Sequence, residues 1–255
     1  MSLTLLQAVA EVAALAGAEA LKHFGSMLDV ETKSDGSPVT RADRNAEQFA
    51  RTWIEARFPE DGILGEEFGE TRPGARRRWL IDPVDGTRAF VKGVPLWGTL
   101  VAVAEGEHIV AGAAEFPATR DRIAAARGEG CWWNSARCAV SGVGTLAAAT
   151  VLGTDAAFQR TPERGRLWHA LASRAGTART WGDCYGYFMV ATGRAELMTD
   201  GTLSPWDAAA LQVIVEEAGG VFTDWQGRAT SFGDGAIATN AALARELRAA
   251  LGVAR

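Results

Sequence analysis

The residues of this chain best suited to chemistry are acids, and they stand in short clusters. In Leu80-Ile81-Asp82-Pro83-Val84-Asp85-Gly86-Thr87, an apolar run delivers two carboxylates, three residues apart, to its end. Two carboxylates at one place suit a hard divalent cation such as magnesium. Pro83 stiffens the turn, Gly86 permits close backbone approach, and Thr87 opens a short helix. The unpaired N–H groups and partial positive charge of a helix start suit phosphate. A second acid pair stands in Gly65-Glu66-Glu67-Phe68, and a third acid, Asp207, in Ser204-Pro205-Trp206-Asp207-Ala208-Ala209. Asp43, in Val39-Thr40-Arg41-Ala42-Asp43, lies at the start of another helix. Taken singly, each has a plain structural use: a capped turn, a solvated acidic turn, or a charge favourable to a helix dipole. Taken together, they favour a shared cation site beside a phosphate-binding turn.

These acids need rigid elements to carry them. Residues 2–25 read as a helix stopped at Gly25, and 30–40 as a polar loop or loose hairpin with turn residues Asp35, Gly36, Ser37 and Pro38. A second helix is predicted over 41–58, with Ala42, Ala46, Phe49, Trp53 and Ile54 on its apolar face. Short strands at 63–64 and 76–81 lead to the two acid pairs, and a helix over 88–91 follows. The runs 96–104, 109–115 and 122–127, with turns at Glu105-Gly106 and Gly128, predict an antiparallel meander. Beyond residues 142–144 the texture changes. Strands at 150–153, 178–181, 195–199, 221–224 and 236–238 are interspersed with helices at 161–175, 185–192, 204–218 and 241–251, an α/β pattern. The expected organisation is one compact unit of two halves. Residues 1–142 carry most of the acids, and 143–255 carry Asp207.

With 255 residues and 47% hydrophobic composition, the chain is long enough to bury a large core. Lys and Arg total 26 against 31 Asp and Glu, a net charge of −5, so no general basic surface is available for nucleic acid. A small phosphorylated substrate is still compatible, because bound cations supply positive charge locally. Cys131, Cys138 and Cys184 match no zinc spacing, and an odd count argues against a disulfide framework, which suits a reducing cytoplasm. The apolar first 24 residues are interrupted by Glu11 and Glu19 and lack an early Lys or Arg, so they read as an amphipathic helix rather than a signal peptide. There is no run of 18 apolar residues, so no membrane span is expected. His23, His108 and His169 fall in none of the clusters and read as surface or packing residues.

In order and approximate spacing, Gly65-Glu66-Glu67, Asp82-Pro83-Val84-Asp85-Gly86-Thr87 and Trp206-Asp207-Ala208-Ala209, followed by Glu217-Ala218-Gly219-Gly220, resemble the inositol monophosphatase superfamily. These are magnesium-dependent, lithium-sensitive phosphatases, and the resemblance covers most of the chain. It implies an α/β (α+β) fold, a layered αβαβα sandwich of the inositol monophosphatase and sugar phosphatase type. It implies that Glu66, Asp82 and the Val84 carbonyl hold one Mg2+, that Asp82, Asp85 and Asp207 hold a second, and that a third, weaker ion leans on Glu66. Two to three ions are expected, with Mn2+ able to substitute. Asp43 and Thr87 match the pair that orients the attacking water, and Glu66 is expected among the catalytic residues as well. The backbone N–H groups of Gly86 and Thr87 would bind phosphate, and Lys33 lies in a flap loop. A homodimer is implied as well, with the apolar stretch 94–103 and the meander surface as its support.

Two further segments, Trp181-Gly182-Asp183-Cys184-Tyr185-Gly186-Tyr187 and the stretch from Arg88 to Leu100, are more similar to the histidinol-phosphate phosphatase branch than to the inositol branch. That branch acts in histidine biosynthesis. Asp183 falls where polyol binders carry small neutral residues, and an acid there can pair with the amino group or imidazolium of histidinol. Asp183 serves equally as the N-cap of the following helix. Asp200 and Arg88 are the other substrate contacts that the resemblance implies, and Trp97 and Trp181 are candidate pocket walls. Cys184 reads as a small buried residue rather than a reactive thiol. The competing functions are an inositol-1-monophosphatase or broader small-molecule phosphatase, a 3′-phosphoadenosine phosphate nucleotidase, and a binding protein that kept the fold without catalysis. The intact set Glu66, Asp82, Asp85, Thr87 and Asp207 argues against the last.

Overall fold

Helix α1 (Leu5–Leu21) begins where Thr4 can cap it. The Thr4 hydroxyl accepts from the Gln7 N–H, and the Gln7 side chain accepts from the Thr4 N–H. This reciprocal cap satisfies two donors that a helix start leaves open, which places the helix start later than residue 2. The computed structural model describes residues 3–26, 30–32, 38–155 and 157–253. Lys33 and the turn residues Asp35, Gly36 and Ser37 lie outside the described residues. On either side of them, β1 (Glu31–Thr32) and β2 (Pro38–Val39) pair antiparallel. Helix α2 (Arg41–Arg57) is capped by Thr40 in a second reciprocal box, closed by Asp43.

The chain then builds an eight-stranded sheet from β3 (Gly62–Gly65), β4 (Gly69–Thr71), β5 (Arg77–Asp85), β6 (Gly98–Glu105), β7 (His108–Phe116), β8 (Asp121–Ala126), β9 (Gly130–Trp133) and β10 (Ala136–Arg137). Helix α3 (Thr87–Val91) interrupts the run after β5. The strand order is β10-β9-β8-β7-β6-β5-β3-β4. From β5 to β10 all pairs are antiparallel, as the meander predicts, while β3 lies parallel to β5. Three strands escape the sequence reading: β4, β9 and β10 are short and lack alternation. Asn134 and Ser135, at φ +46° and +74°, turn β9 into β10, a two-residue hairpin geometry that accepts such residues. Strand β5 also continues past its predicted end at Ile81. Asp82-Pro83-Val84-Asp85 reads as a turn but pairs with β6 through a register irregularity between Asp82 and Asp85, where proline is tolerated.

The second sheet holds β11 (Thr150–Gly153), β12 (Thr177–Arg179), β13 (Leu197–Asp200), β14 (Val221–Thr223) and β15 (Ala236–Thr239), in the order β12-β11-β13-β15-β14. Strands β12, β11 and β13 are parallel, and β15 and β14 join antiparallel. The helices of this region are α4 (Pro162–Ala172), α5 (Asp183–Ala191), α6 (Pro205–Glu217) and α7 (Ala244–Ala250).

Five layers result. Helices α1 and α2 cover one face of the large sheet, enclosing Trp53, Trp79, Ile81, Val101 and Val103. Helices α5 and α6 fill the space between the sheets, packed around Leu100, Phe116, Phe188 and Phe222. Helices α4 and α7 close the far face over Trp168, Leu197 and Ile237. This is the expected αβαβα sandwich. Because α6 has sheet on both sides, it is apolar around most of its circumference, with Ala208 through Val215 all buried.

Two packing expectations change. Phe49 stays 42% exposed, because the buried face of α2 is turned to take in Asp43, Glu47 and Arg51. Within the stretch 94–103, residues 98–103 form a central strand covered on both faces, so their apolar side chains serve the core, while Val94 stays 41% exposed. All three cysteines are free, and Cys184 is buried as expected. Among the described residues no helix is long and apolar enough to cross a membrane.

Candidate active site

Four elements from distant parts of the chain deliver the acids to one place. Strand β5 carries Asp82 and Asp85 at its end, and the turn after the parallel neighbour β3 carries Glu66, whose N–H donates to the Ile81 carbonyl at 3.2 Å. Helix α6 presents Asp207 in its first turn, where its carboxylate accepts from the Ser204 N–H at 2.9 Å. Helix α5 aims its first turn at the same point, and the Cys184 N–H donates to Asp85 Oδ2 at 2.5 Å.

Asp82 is 2% exposed, and its carboxylate accepts from the Val84 N–H at 3.0 Å. Burial, followed by the charges of Glu66, Asp85 and Asp207, pushes the Asp82 carboxyl well above the usual range. Burial and the charge of Asp207 raise Asp85 to about 7, even though Cys184 donates to it. Burial raises Asp207 to about 7 against the opposing Ser204 hydrogen bond, with Glu66 adding to the rise. Among the described residues, no three His, Cys, Asp or Glu side chains already surround one centre as ligands of a bound ion do.

Asp43 lies behind this group at the start of α2, 1% exposed. Its Oδ2 accepts from the N–H and hydroxyl of Thr40 at 2.8 and 2.7 Å, which leaves Oδ1 facing the Thr87 hydroxyl at 3.5 Å. The same hydroxyl lies 2.9 Å from the Val84 carbonyl. Burial raises the Asp43 carboxyl despite both Thr40 bonds. Gly86 sits between Asp85 and Thr87 at φ +85°, in the left-handed region. A Cβ there would lie 3.0 Å from the Leu96 carbonyl and 3.3 Å from Asp183 Oδ2, so only glycine fits without strain.

A cleft of about 560 Å³ opens over Asp85 and Asp207, and its walls include Arg88, Thr154, Arg160, Asp183, Tyr187 and Asp200. The three predicted substrate contacts, Arg88, Asp183 and Asp200, therefore share one cavity with two of the acids. Asp183 is the first residue of α5 at φ +50°, a region that Asp tolerates better than most residues, and its N–H donates to the Thr154 hydroxyl at 2.7 Å. It makes no N-cap hydrogen bond; Gly182 occupies that position. Burial, then Asp85 and Asp200, push its carboxyl well up, opposed by Arg88. Burial raises Asp200 although Thr154 and the Tyr187 hydroxyl, at 2.9 Å, hydrogen-bond to it. Neither tryptophan forms a wall. Trp97 is fully buried against Phe24 and Phe90, and Trp181 is 41% exposed outside the cavity lining. None of the three histidines borders the cleft. Concavities of about 660 and 620 Å³ lie over α7 and between α1 and β8, but neither gathers converging carboxylates.

Sequence reading missed Thr154 and Tyr187, which orient Asp183 and Asp200, and Thr40, which holds Asp43. A threonine ending a strand or a tyrosine inside a helix carries no local signal of such a contact. Thr40 had one, because Thr-x-x-Asp at a helix start is a capping pattern.

A family model described as the inositol monophosphatase family matches residues 2–253. The chain is 44% identical over 249 residues to the histidinol-phosphatase of Chlorobaculum parvum, spanning 97% of this chain and 96% of that one. It is 36% identical over 231 residues to the histidinol-phosphatase of Mycobacterium tuberculosis, spanning 88% and 89%. In three dimensions it matches an inositol monophosphatase from Zymomonas mobilis with a TM-score of 0.87 and 32% identity, over 97% of each chain. A likeness that runs almost end to end, in sequence and in fold alike, makes this chain a member of the inositol monophosphatase family, metal-dependent phosphoric monoester hydrolases.

Proposed function

We propose that the protein is a magnesium-dependent phosphatase that hydrolyses L-histidinol phosphate to L-histidinol and phosphate, a step of histidine biosynthesis in the cytoplasm. The observation that carries the substrate choice is the pair Asp183 and Asp200 in the wall of the cleft, both with carboxyls raised by burial and neighbouring acids. A leaving group with an ammonium and an imidazole supplies the charge these acids lack, whereas a neutral polyol does not. The names of the two bacterial relatives support the same choice.

The donor set fits Mg2+. Glu66, Asp82, Asp85 and Asp207 offer hard oxygens, as does the Val84 carbonyl, which has a second lone pair beside its contact with Thr87. Burial and mutual repulsion raise the carboxyls of Asp82, Asp85 and Asp207, so cations relieve the same strain. Two to three ions are expected, and Mn2+ has the same ligand preferences. When bound there, they supply an activated water and offset the charge of the phosphoryl group.

The chain itself positions the reactants. The first-turn N–H groups at Gly86 and Thr87 orient the phosphate. Thr87 and Asp43 Oδ1 form a short relay that can hold the attacking water and accept its proton. Arg88, at the cleft wall, adds positive charge beside the phosphate, and Asp183 and Asp200 hold the leaving group. A homodimer is part of this reading through the family resemblance, and its mass in solution tests it.

The deciding experiment compares kcat/KM for histidinol phosphate, inositol 1-phosphate and 3′-phosphoadenosine 5′-phosphate in magnesium. Histidinol phosphate is expected to lead. Preference for inositol phosphate by more than about tenfold, a gap of about 1.4 kcal/mol, overturns the substrate choice.

A further inference from the structure

Helix α2 carries a second buried acid that the reaction does not use. Glu47 is fully buried, one turn beyond Asp43. Its Oε1 accepts from Arg51 Nε at 2.7 Å and from the Phe68 N–H at 3.2 Å, and its Oε2 accepts from the Glu67 N–H at 2.7 Å. Arg51 also donates to the Gly69 carbonyl and lies 5.9 Å over the ring of Phe68. One ion pair therefore grips the turn between β3 and β4 at three consecutive residues, 67 to 69. The fit requires a bare backbone at the other end of the turn. A Cβ on Gly65 would stand 2.0 Å from Glu47 Oε1, so any side chain there displaces the carboxylate. Glu66 lies between Gly65 and the gripped amides, with its own N–H tied to the Ile81 carbonyl on β5.

We infer that Glu47, locked by Arg51, is a positioning residue that fixes the turn bearing Glu66 and thereby sets the magnesium affinity of the site. The inference rests on the reading of Glu66 as a magnesium ligand. Groups that hold the ligands of a metal typically change its affinity by about 10–100-fold when altered. Glu47 contacts neither substrate nor the reacting atoms, so its loss acts on metal loading and spares turnover of the loaded enzyme.

The test uses Glu47→Gln and Gly65→Ala, which disturb the contact from opposite sides, with Leu247→Ala as a control. Leu247 is buried in the far layer, and its truncation loosens the fold away from the turn. Magnesium binding is measured by calorimetry without substrate, and kcat is measured at saturating magnesium. Glu47→Gln and Gly65→Ala are expected to weaken magnesium binding by about tenfold or more, with kcat within about threefold of wild type. The control is expected to lower the melting temperature without moving the binding constant. The inference is overturned if folded Glu47→Gln binds magnesium within about twofold of wild type, or if the control weakens binding as much. Should Glu47→Gln fail to fold, Gly65→Ala decides by the same criterion. Absence of magnesium binding by the wild-type protein would instead refute the assignment of the site.

Discussion

A single buried acid, Glu47, lies close to a cluster of acids around the buried Asp82, and the protein treats the two in opposite ways. Glu47 receives an arginine and two backbone amides, so its charge is answered from within the chain. Asp82, Asp85 and Asp207 face one another and Glu66, and their carboxyls are raised instead of settled. A buried carboxylate with its own cation is a structural device, whereas a cluster of carboxyls that raise one another is a candidate site. The acid that is fully answered fixes the turn that carries one of the acids left open.

The sharpest way to break this contrast is to remove an acid from the open group. Asp85→Asn is expected to lower magnesium-dependent kcat/KM by about a thousandfold, measured on histidinol phosphate. Retention of full activity would contradict the assignment. Removing the cation from the closed group acts on stability. Arg51→Met leaves Glu47 buried without its partner and is expected to cost about 3 kcal/mol in urea unfolding. A loss near zero would mean that the two amides alone answer the charge.

Magnesium and pH together separate the groups without mutation. Asp85 and Asp207 titrate at about 7 in the folded protein against an ordinary value of 3.8. The folded state then holds protons that the unfolded chain has released, so metal-free stability is full below about pH 4 and falls as pH rises to about 7. Cations replacing those protons cancel the loss. Magnesium should therefore raise the melting temperature by several degrees more at about pH 8 than at about pH 5. An equal shift at both pH values would sink this account. The smallest effect concerns the substrate wall. Asp183→Asn keeps the left-handed backbone and removes one charge, so KM for histidinol phosphate should rise about tenfold while KM for p-nitrophenyl phosphate stays unchanged. A parallel rise in both would assign Asp183 to the phosphate or metal region.

Local patterns made the acids legible. Asp82-Pro83-Val84-Asp85-Gly86-Thr87 announced itself because strand, turn and helix start are written in adjacent residues. The meander from β5 to β8 was readable for the same reason, since its turns are short and its strands consecutive. Residues whose purpose lies in a distant contact were not. Glu47 reads as one more charge on a helix and Tyr187 as one more aromatic, until folding sets them against residues 67 and 200. Phe49 was misjudged with them, because an apolar stripe gives no warning that a helix will turn two acids inward.

By itself, then, the sequence determined the kinds of oxygen ligand available, the turn that presents two of them, and the family to which the chain is similar. Tertiary structure decided which acids keep company with a cation and which with one another. That division has a physical cause. Capping, turn chemistry and strand periodicity act over a few residues, whereas the electrostatic state of a buried carboxylate is set by neighbours that the fold brings from far along the chain.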